Sequence, residues 1–281
     1  MNYTRLFKKL VKRGIDELQH VFVAVARCFG VIDYPVPPNS SMRKTSSRSI
    51  RHYYISGIQT ALPIATTAIR ERVALHEKIN ILDFGCGVGR QLLHFTRHYP
   101  NPNYYACDID DTSIEFVCKE YPQVNAYASR FHPPLKYENN FFDSVYSVSI
   151  FSHLSIEDHR PWLNELARIT KPGGYCFLTI EGRTALDALA SDFNTDTNKL
   201  EQDLKKQGYL YKEYDFLKTS VQNQNVLRGA SFLVGVEGSY GNMAMSLEHI
   251  KKEWDTEQFQ VIDIIEGIID YRQDLVILKR K

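Results

Sequence analysis

Short apolar segments alternate with longer amphipathic segments over residues 50–182 of this 281-residue chain. The amphipathic segments repeat apolar residues at the helical period, and the apolar segments have the length of strands. The predicted helices cover residues 55–76, 89–98, 111–120 and 155–170. The predicted strands cover residues 79–84, 103–108, 123–128, 142–149 and 175–180. Strands separated by helix-length segments need crossover connections, so the pattern predicts a parallel sheet flanked by helices.

The regular alternation ends at residue 183. Residues 171–174, Lys-Pro-Gly-Gly, are predicted to end the preceding helix before the fifth strand. Residues 184–258 are polar and mixed, and they predict an insertion. Two further apolar segments, 259–265 and 273–279, are separated by a short turn region. They are predicted to pair as antiparallel strands, which brings the sheet to seven strands.

The first 49 residues differ from the rest. Residues 3–29 place lysines and arginines between periodic apolar residues and predict an amphipathic helix. Such a helix docks on the body of its own protein or lies on a membrane surface. Residues 34–49 are rich in Pro, Ser and Asn, which is typical of a linker. The predicted division is therefore an N-terminal helix and linker over 1–49 and a domain over 50–281, with 184–258 as a cap over the acceptor.

Composition excludes some classes of function. Lys and Arg number 34 against 33 Asp and Glu, and the formal charge of +1 disfavours a protein built to coat nucleic acid. No stretch has the length and apolar character of a membrane span. Five cysteines are scattered without metal-ligand spacing, which indicates reduced thiols and a cytoplasmic location.

Three alternating glycines, Gly85, Gly87 and Gly89, follow the first predicted strand. Glycine lets a backbone turn sharply and approach a ligand closely, and amides at the start of the next helix then point at that ligand. The spacing is G-x-G-x-G followed by Arg90, which fits a dinucleotide turn poorly. Asp108 ends the second strand, where a carboxylate can accept hydrogen bonds from both hydroxyls of a ribose.

Taken in order, five segments resemble the class I S-adenosylmethionine-dependent methyltransferases. They are residues 81–90, 106–110, 133–154, 162–182 and 273–278. The resemblance implies an α/β, Rossmann-like, doubly wound sheet of seven mostly parallel strands with an antiparallel last strand. It also implies S-adenosyl-L-methionine as the cofactor. Residues 149–154, Ser-Ile-Phe-Ser-His-Leu, resemble a bacterial subgroup of methyltransferase domains that differ in their acceptors.

The resemblance also implies cofactor contacts for residues at the ends of the first four strands and in the loops that follow them. These are Asp83, Phe84, Gly85, Cys86, Gly87, Gly89, Arg90, Asp108, Ile109, Ser129, Arg130, Ser149 and Ile150. The first loop would border the methionine part, Asp108 would hold the ribose, and Ile109 would pack on the adenine. Tyr54 and Gly57 would close over the methionine end, or else form an ordinary start of a helix.

Two residues are candidate bases because ligands bind at the carboxyl ends of strands in such sheets. His153 follows the fourth strand and Glu181 ends the fifth. A histidine near neutrality can take a proton, although His153 could instead bond the backbone and shape its loop. In the cap, the predicted acceptor contacts are Tyr209, Tyr211, Phe232 and Tyr240, which could also only pack its core. The histidines show no metal-ligand spacing, so no metal is predicted.

The predicted function is methyl transfer to an oxygen of a small molecule, sugar or glycan. RNA, DNA or nitrogen methylation is an alternative. Enzymes that methylate base amino groups usually have Asn or Asp followed by Pro-Pro-aromatic after the fourth strand, whereas Pro133 and Pro134 precede that strand here. A further alternative is a partner subunit that binds the cofactor without catalysis, because fold does not imply function.

Overall fold

A computed structural model describes residues 25, 30, 34–38, 41–42, 49–215, 236 and 238–281. The predicted helix over 3–29, apart from Val25, lies outside these residues, as does Phe232. Within the predicted linker, Ser41 and Met42 are buried. No helix of the described part is long and apolar enough to cross a membrane.

The helices include the four predicted over residues 50–182, of which the first ends at Arg70 rather than at residue 76 and the second begins at Leu92 rather than at residue 89. They are α1 (Ile50–Arg70), α2 (Leu92–His98), α3 (Asp111–Glu120), α4 (Ile156–Ile169), α5 (Leu186–Leu189), α6 (Thr197–Gln207) and α7 (Leu247–Glu253), with a 3₁₀ turn at Arg183–Ala185. Helix α1 begins earlier than predicted because Ser49 caps it, its Oγ accepting a hydrogen bond from the His52 amide at 3.1 Å.

The described strands form one sheet. They are β1 (Asn80–Phe84), β2 (Asn103–Asp108), β3 (Val124–Ala128), β4 (Phe142–Ser147), β5 (Thr170–Glu181), β6 (Tyr209–Glu213), β7 (Gly241–Met245), β8 (Phe259–Ile269) and β9 (Gln273–Arg280). Strands β3-β2-β1-β4-β5 are parallel neighbours, β9 runs antiparallel to β5, and β8 runs antiparallel to β9. The predicted α/β class, parallel sheet and antiparallel last strand are confirmed.

The sheet has nine strands among the described residues rather than the predicted seven. The two additional strands, β6 and β7, come from the insertion. They pair with each other, and Ala244 of β7 pairs with Glu181 at the end of β5. All five residues of β7 are buried, so burial and pairing override the poor strand propensity of Gly241 and Asn242. The sequence pattern missed both strands because β7 begins in a glycine-rich segment.

The prediction for the Lys-Pro-Gly-Gly segment, residues 171–174, is also wrong in part. Helix α4 ends at Ile169 as expected, but residues 171–174 already belong to β5. The pairing of β4 with β5 is irregular between Phe142 and Ser144, and such an irregularity accommodates a proline inside a strand. Lys171 anchors the segment through an ion pair with Asp143 at 2.8 Å.

The core lies on both faces of the sheet because successive side chains of a buried strand point to opposite sides. Ile81 packs in the layer that contains α1 and α2, whereas Leu82 packs in the layer that contains Trp162 of α4. Both faces are therefore covered, and the carboxyl edge of the parallel strands is left as the place for a ligand.

We expect Gly57→Ala to lower the free energy of unfolding by about 1–2 kcal/mol. A Cβ at Gly57 would lie 2.7 Å from the Arg90 carbonyl oxygen and 2.8 Å from His94 Nε2, so α1 would have to move. Because a backbone atom is among those overlapped, the cost lies in the upper part of the usual range, about 2–3 kcal/mol, and outweighs the gain of about 1 kcal/mol in helix propensity. Chemical unfolding measures the change, with the exposed Gln59→Ala on the same helix as control. Equal stability of the Gly57→Ala and wild-type proteins would contradict this packing.

Candidate active site

A cavity of about 510 Å³ opens at the carboxyl edge of the parallel strands. Its volume lies in the range of small-molecule and cofactor sites. Most of the residues that the sequence singled out line this one cavity. They are Phe84, Gly85, Cys86, Gly87, Arg90, Asp108, Ile109, Ser129, Arg130, Ser149, Ile150, His153, Glu181 and Tyr240.

The glycine loop after β1 has a backbone that other residues rarely adopt. Gly85, Gly87 and Gly89 have φ values of 80°, 51° and 74°. A Cβ at Gly85 would overlap the side chain of Ile150, which follows β4. Glycine therefore lets the loops after β1 and β4 approach each other beside the cavity.

Asp108 connects this loop to the loop after β2. Its Oδ2 accepts a hydrogen bond from the Gly87 amide at 2.7 Å, and its Oδ1 accepts one from the Asp110 amide at 2.9 Å. Burial raises the pKa of Asp108, and these amides oppose that rise. Each carboxylate oxygen can accept a further hydrogen bond, so Asp108, which lines the cavity, fits a ligand with neighbouring hydroxyls such as a ribose.

Four of the predicted cofactor residues do not line the cavity. Asp83 is buried, and its Oδ2 accepts a hydrogen bond from the Tyr146 hydroxyl at 3.0 Å. Gly57 lies against Arg90 and His94, and the ring of Tyr54 packs on His94 at 5.0 Å. Gly89 faces the ring of Tyr121. These contacts give the four residues packing roles, and their contacts to the cofactor stay predictions.

His153 has a defined hydrogen-bond arrangement. Its Nδ1 lies 3.0 Å from the Gly241 carbonyl oxygen, which can only accept, so in the neutral ring the proton is on Nδ1. The Tyr214 hydroxyl oxygen lies 2.9 Å from the same nitrogen and donates its own proton to Asn242 Oδ1 at 2.8 Å. Nε2 has no hydrogen-bond partner among the described residues and keeps its lone pair. Burial lowers the pKa of His153, and Arg272 lowers it further, so the ring is neutral near pH 7.

Glu181 forms an ion pair with Arg272 of the chain's last hairpin. Its Oε1 lies 2.6 Å from a guanidinium nitrogen of Arg272. Its Oε2 is buried and has no hydrogen-bond partner among the described residues, although Glu181 lines the cavity. Burial raises the pKa of Glu181 while Arg272 opposes the rise. An unpaired buried carboxylate oxygen at a cavity fits a ligand that donates a hydrogen bond.

Only one of the predicted acceptor residues is found at the cavity. Tyr240 lines the cavity, but Tyr209 packs on His249 at 5.4 Å, and the Tyr211 hydroxyl donates to the Gly238 carbonyl oxygen. Neither Tyr209 nor Tyr211 lines the cavity, and Phe232 lies outside the described residues. No group of three or more metal-ligating side chains occurs in the described part of the chain.

Several lining residues were not found from the sequence. The most informative are Tyr214 and Asn242 from the insertion and Arg272 and Gln273 from the last hairpin. Gln273 donates a hydrogen bond to Ser149 Oγ at 2.8 Å, which joins the start of β9 to the loop after β4. An antiparallel last strand begins where its parallel neighbours end, and this rule could have identified Arg272 and Gln273.

Comparison with known proteins agrees with this geometry. Residues 82–178 match the family model of a methyltransferase domain. A tRNA (carboxymethyluridine(34)-5-O)-methyltransferase of Arabidopsis thaliana is 34% identical over 101 residues, which is 36% of this chain and 23% of that protein. Uncharacterized protein RP028 of Rickettsia prowazekii is 28% identical over 140 residues, which is 45% of this chain and 56% of that protein. The chain thus spans between 23% and 56% of the length of these curated relatives.

A solved structure shares the fold. It is a Listeria monocytogenes protein assigned as an S-adenosylmethionine dependent methyltransferase, with a TM-score of 0.52, 10% identity, and coverage of 79% of this chain and 98% of that protein. Residues 82–178 therefore match a methyltransferase domain, and the chain shares its fold with a protein assigned as dependent on S-adenosyl-L-methionine. The glycine loop and the cavity-lining carboxylate of Asp108 fit that cofactor.

We expect Asp83→Asn to remove part of the pH dependence of stability. Burial raises the pKa of Asp83 to about 8, far above the value of about 3.9 in an unfolded chain. The folded state then holds a proton that the unfolded state has lost, so the wild-type free energy of unfolding falls as pH rises from about 4 to about 8. Asparagine can still accept the hydrogen bond from Tyr146 and does not titrate.

Urea unfolding of both proteins at intervals between pH 5 and pH 8.5 measures this difference. The free energy of unfolding of Asp83→Asn, relative to that of the wild type, should increase as pH rises. The exposed Asp111→Asn serves as control and should leave the pH dependence of the wild type unchanged. If the difference in free energy of unfolding between Asp83→Asn and the wild type stayed constant with pH, the pKa of Asp83 would be the same in the folded and unfolded states.

Proposed function

Because residues 82–178 match a methyltransferase domain, we propose that the chain transfers the methyl group of S-adenosyl-L-methionine to an oxygen atom of a small-molecule, sugar or glycan acceptor. The observation that carries this proposal is His153 at the cavity. Its Nδ1 is held by the Gly241 carbonyl oxygen, and its Nε2 keeps a lone pair. Such a group suits an acceptor that must lose a proton, as a hydroxyl does.

The residues after the first four strands would hold the cofactor. Asp108 would accept hydrogen bonds from the ribose hydroxyls, and the amides of the glycine loop would border the methionine part. Ile109 and Phe131 lie with Val236 in one apolar cluster and would pack on the adenine, beside Ser129 and Arg130. When bound, S-adenosyl-L-methionine supplies an electrophilic methyl group.

His153 and Glu181 would act on the acceptor. Nε2 of His153 accepts the proton of the acceptor hydroxyl, and the Gly241 carbonyl oxygen and Tyr214 keep the ring oriented. The free Oε2 of Glu181 accepts a hydrogen bond from a second donor of the acceptor and fixes its position. Alignment and exclusion of water then account for most of the rate.

The described part of residues 184–258 supports its role as a cap over the acceptor. Asp192, Tyr214, Tyr240 and Asn242 line the same cavity as the glycine loop. Leu154, next to His153, forms a bridge with Tyr240. These contacts lie at the carboxyl edge of the sheet, where a cap over the acceptor must be.

A second candidate is methylation of RNA. It is favoured by the similarity to a tRNA methyltransferase over 101 residues, whose name specifies transfer to an oxygen. The balanced charge of the chain favours a small acceptor instead. In either case, the four described cysteines are unpaired, which supports a reducing compartment such as the cytoplasm.

Incubation with methyl-labelled S-adenosyl-L-methionine tests both candidates. One arm contains the low-mass fraction of an extract of the source cells, and the other contains their total tRNA. Label in the low-mass fraction supports the proposal, and label in tRNA supports the second candidate. Binding of S-adenosylhomocysteine without label in either arm would favour a cofactor-binding partner subunit.

We expect Asp108→Ala to weaken S-adenosylhomocysteine binding by about 1.5–3 kcal/mol, the scale of lost hydrogen bonds to a charged group. Titration calorimetry measures the dissociation constant. Glu115→Ala on α3, exposed and outside the cavity, should bind as the wild type does. Binding of NADH in place of S-adenosylhomocysteine would contradict the cofactor assignment.

We expect His153→Ala to lower the methyl transfer rate by about 10²–10⁴-fold, the usual contribution of a general base. The base must be neutral, and burial lowers its pKa, so the wild-type rate should fall only below about pH 6.5. The variant should lose this acidic limb and keep its affinity for S-adenosylhomocysteine. Rates are measured against pH with the labelled acceptor.

His98→Ala, exposed on α2, provides the control and should keep both the rate and the pH profile. If His153 only shapes its loop, His153→Ala would instead lower the melting temperature, reduce the rate modestly and leave the acidic limb in place. That result would exclude His153 as the base.

A further inference from the structure

Asn242 on β7 presents an oriented amide to the cavity. It lines the cavity and is only 7% exposed. Its Oδ1 accepts a hydrogen bond from the Tyr214 hydroxyl at 2.8 Å, and the same hydroxyl oxygen lies 2.9 Å from His153 Nδ1. This bond determines which end of the amide is the oxygen. The other end, Nδ2, has no hydrogen-bond partner among the described residues. A buried amide nitrogen with unused protons at a cavity fits a ligand that accepts a hydrogen bond.

Glu181 lies on the same face of the sheet as Asn242. It ends β5 and pairs with Ala244 of β7, and Asn242 precedes Ala244 by two residues. Side chains two residues apart on a strand point to the same face, at a spacing of about 6–7 Å. Burial raises the pKa of Tyr214, and the Glu181 carboxylate contributes to the rise, which is consistent with this proximity. The unpaired Oε2 of Glu181 and the unpaired Nδ2 of Asn242 therefore lie on one wall of the cavity.

The part of this wall that comes from the insertion is polar. Its described lining residues are Asp192, Tyr214, Tyr240 and Asn242, and each carries a group that forms hydrogen bonds. A methyl acceptor without polar groups would leave Nδ2 of Asn242 and Oε2 of Glu181 buried and unpaired, which costs free energy. A hydroxyl both donates and accepts a hydrogen bond. One hydroxyl can therefore satisfy Asn242 and Glu181 together while a second one meets Nε2 of His153.

We propose that Asn242 and Glu181 are specificity-determining residues that bind a hydroxyl next to the methylated one, so that the methyl acceptor is a sugar or a polyol. The first hydroxyl loses its proton to His153 Nε2 and takes the methyl group, which leaves S-adenosylhomocysteine. The neighbouring hydroxyl accepts a hydrogen bond from Asn242 Nδ2 and donates one to Glu181 Oε2. A site built to bind a hydroxyl rejects analogues that lack it, because its own polar groups then stay unpaired. The proposal rests on the proposed function, since it narrows the acceptor of that same site.

Periodate treatment tests the class of methyl acceptor with the wild-type protein. Periodate cleaves the carbon–carbon bond between two neighbouring free hydroxyls and leaves an isolated hydroxyl intact. The low-mass fraction of the extract is treated, the excess periodate is quenched, and the full chain is added with methyl-labelled S-adenosyl-L-methionine. In the control, the periodate is quenched before it is mixed with the fraction. Label transfer should be lost from the treated fraction and kept in the control.

Two nearly isosteric variants test the residues. Asn242→Asp keeps an oxygen for the Tyr214 hydroxyl but cannot donate a hydrogen bond. Glu181→Gln keeps an oxygen for Arg272 but replaces the unpaired oxygen by a donor. Each should lower label transfer at limiting methyl acceptor by about tenfold or more, the scale of one lost hydrogen bond. Affinity for S-adenosylhomocysteine should stay unchanged. Measurement at about pH 8.5 keeps His153 neutral, so that a change in its pKa does not contribute.

Matched controls make the same chemical changes at exposed positions outside the cavity. They are Asn125→Asp on β3 and Glu115→Gln on α3. Both should transfer label as the wild type does.

Label that survives periodate would overturn this proposal and leave the proposed function standing. Wild-type transfer by Asn242→Asp or by Glu181→Gln would also overturn it. A loss of transfer matched by an equal loss of affinity for S-adenosylhomocysteine would show that the residue is structural, and it would overturn the proposal as well. If the wild type leaves the untreated low-mass fraction unlabelled, the proposed function fails and this proposal fails with it.

Discussion

The carboxylate of Asp108 is the interaction on which the geometry of the site depends. One oxygen holds the amide of Gly87 and the other holds the amide of Asp110, so a single side chain fixes the loops after β1 and β2. The first loop can present that amide only because its glycines accept left-handed backbone. The same loop admits Ile150 next to Gly85 and thereby brings the loop after β4 to the cavity. Three strand ends therefore meet at the glycine loop, which Asp108 holds in place.

The sequence pattern was sufficient for the parallel part of the sheet because its strands are buried on both faces and separated by amphipathic helices. It failed where pairing with distant residues decides the structure. Gly241 and Asn242 disfavour a strand, yet β7 forms because it is buried and paired with β6 and the end of β5. Lys-Pro-Gly-Gly is a strong local signal for a turn, yet its residues extend β5 alongside β4. Propensity is a local property, and both segments are governed by contacts that are remote in sequence.

The same distinction holds for the site. Asp108, His153 and Glu181 could be predicted because the carboxyl ends of parallel strands meet at one edge. Arg272 and Gln273 were missed because β9 runs in the opposite direction and contributes its beginning to that edge. Within the insertion, Tyr214 contacts His153, whereas Tyr209 and Tyr211 pack elsewhere. No periodic pattern in the sequence distinguishes Tyr214 from the other two tyrosines. That difference depends on the pairing of β6 with β7, which the sequence pattern did not indicate.

Gly241 begins β7 of the insertion, and its carbonyl oxygen also determines which nitrogen of His153 holds the proton. The histidine belongs to the scaffold, but its tautomer is set by the insertion. The two parts are therefore not interchangeable modules. Exchange of the insertion for that of another protein would leave the imidazole free to switch tautomers, unless the new segment also presented an acceptor at this point. Changing the insertion and keeping the His153 tautomer are thus a single problem in this fold.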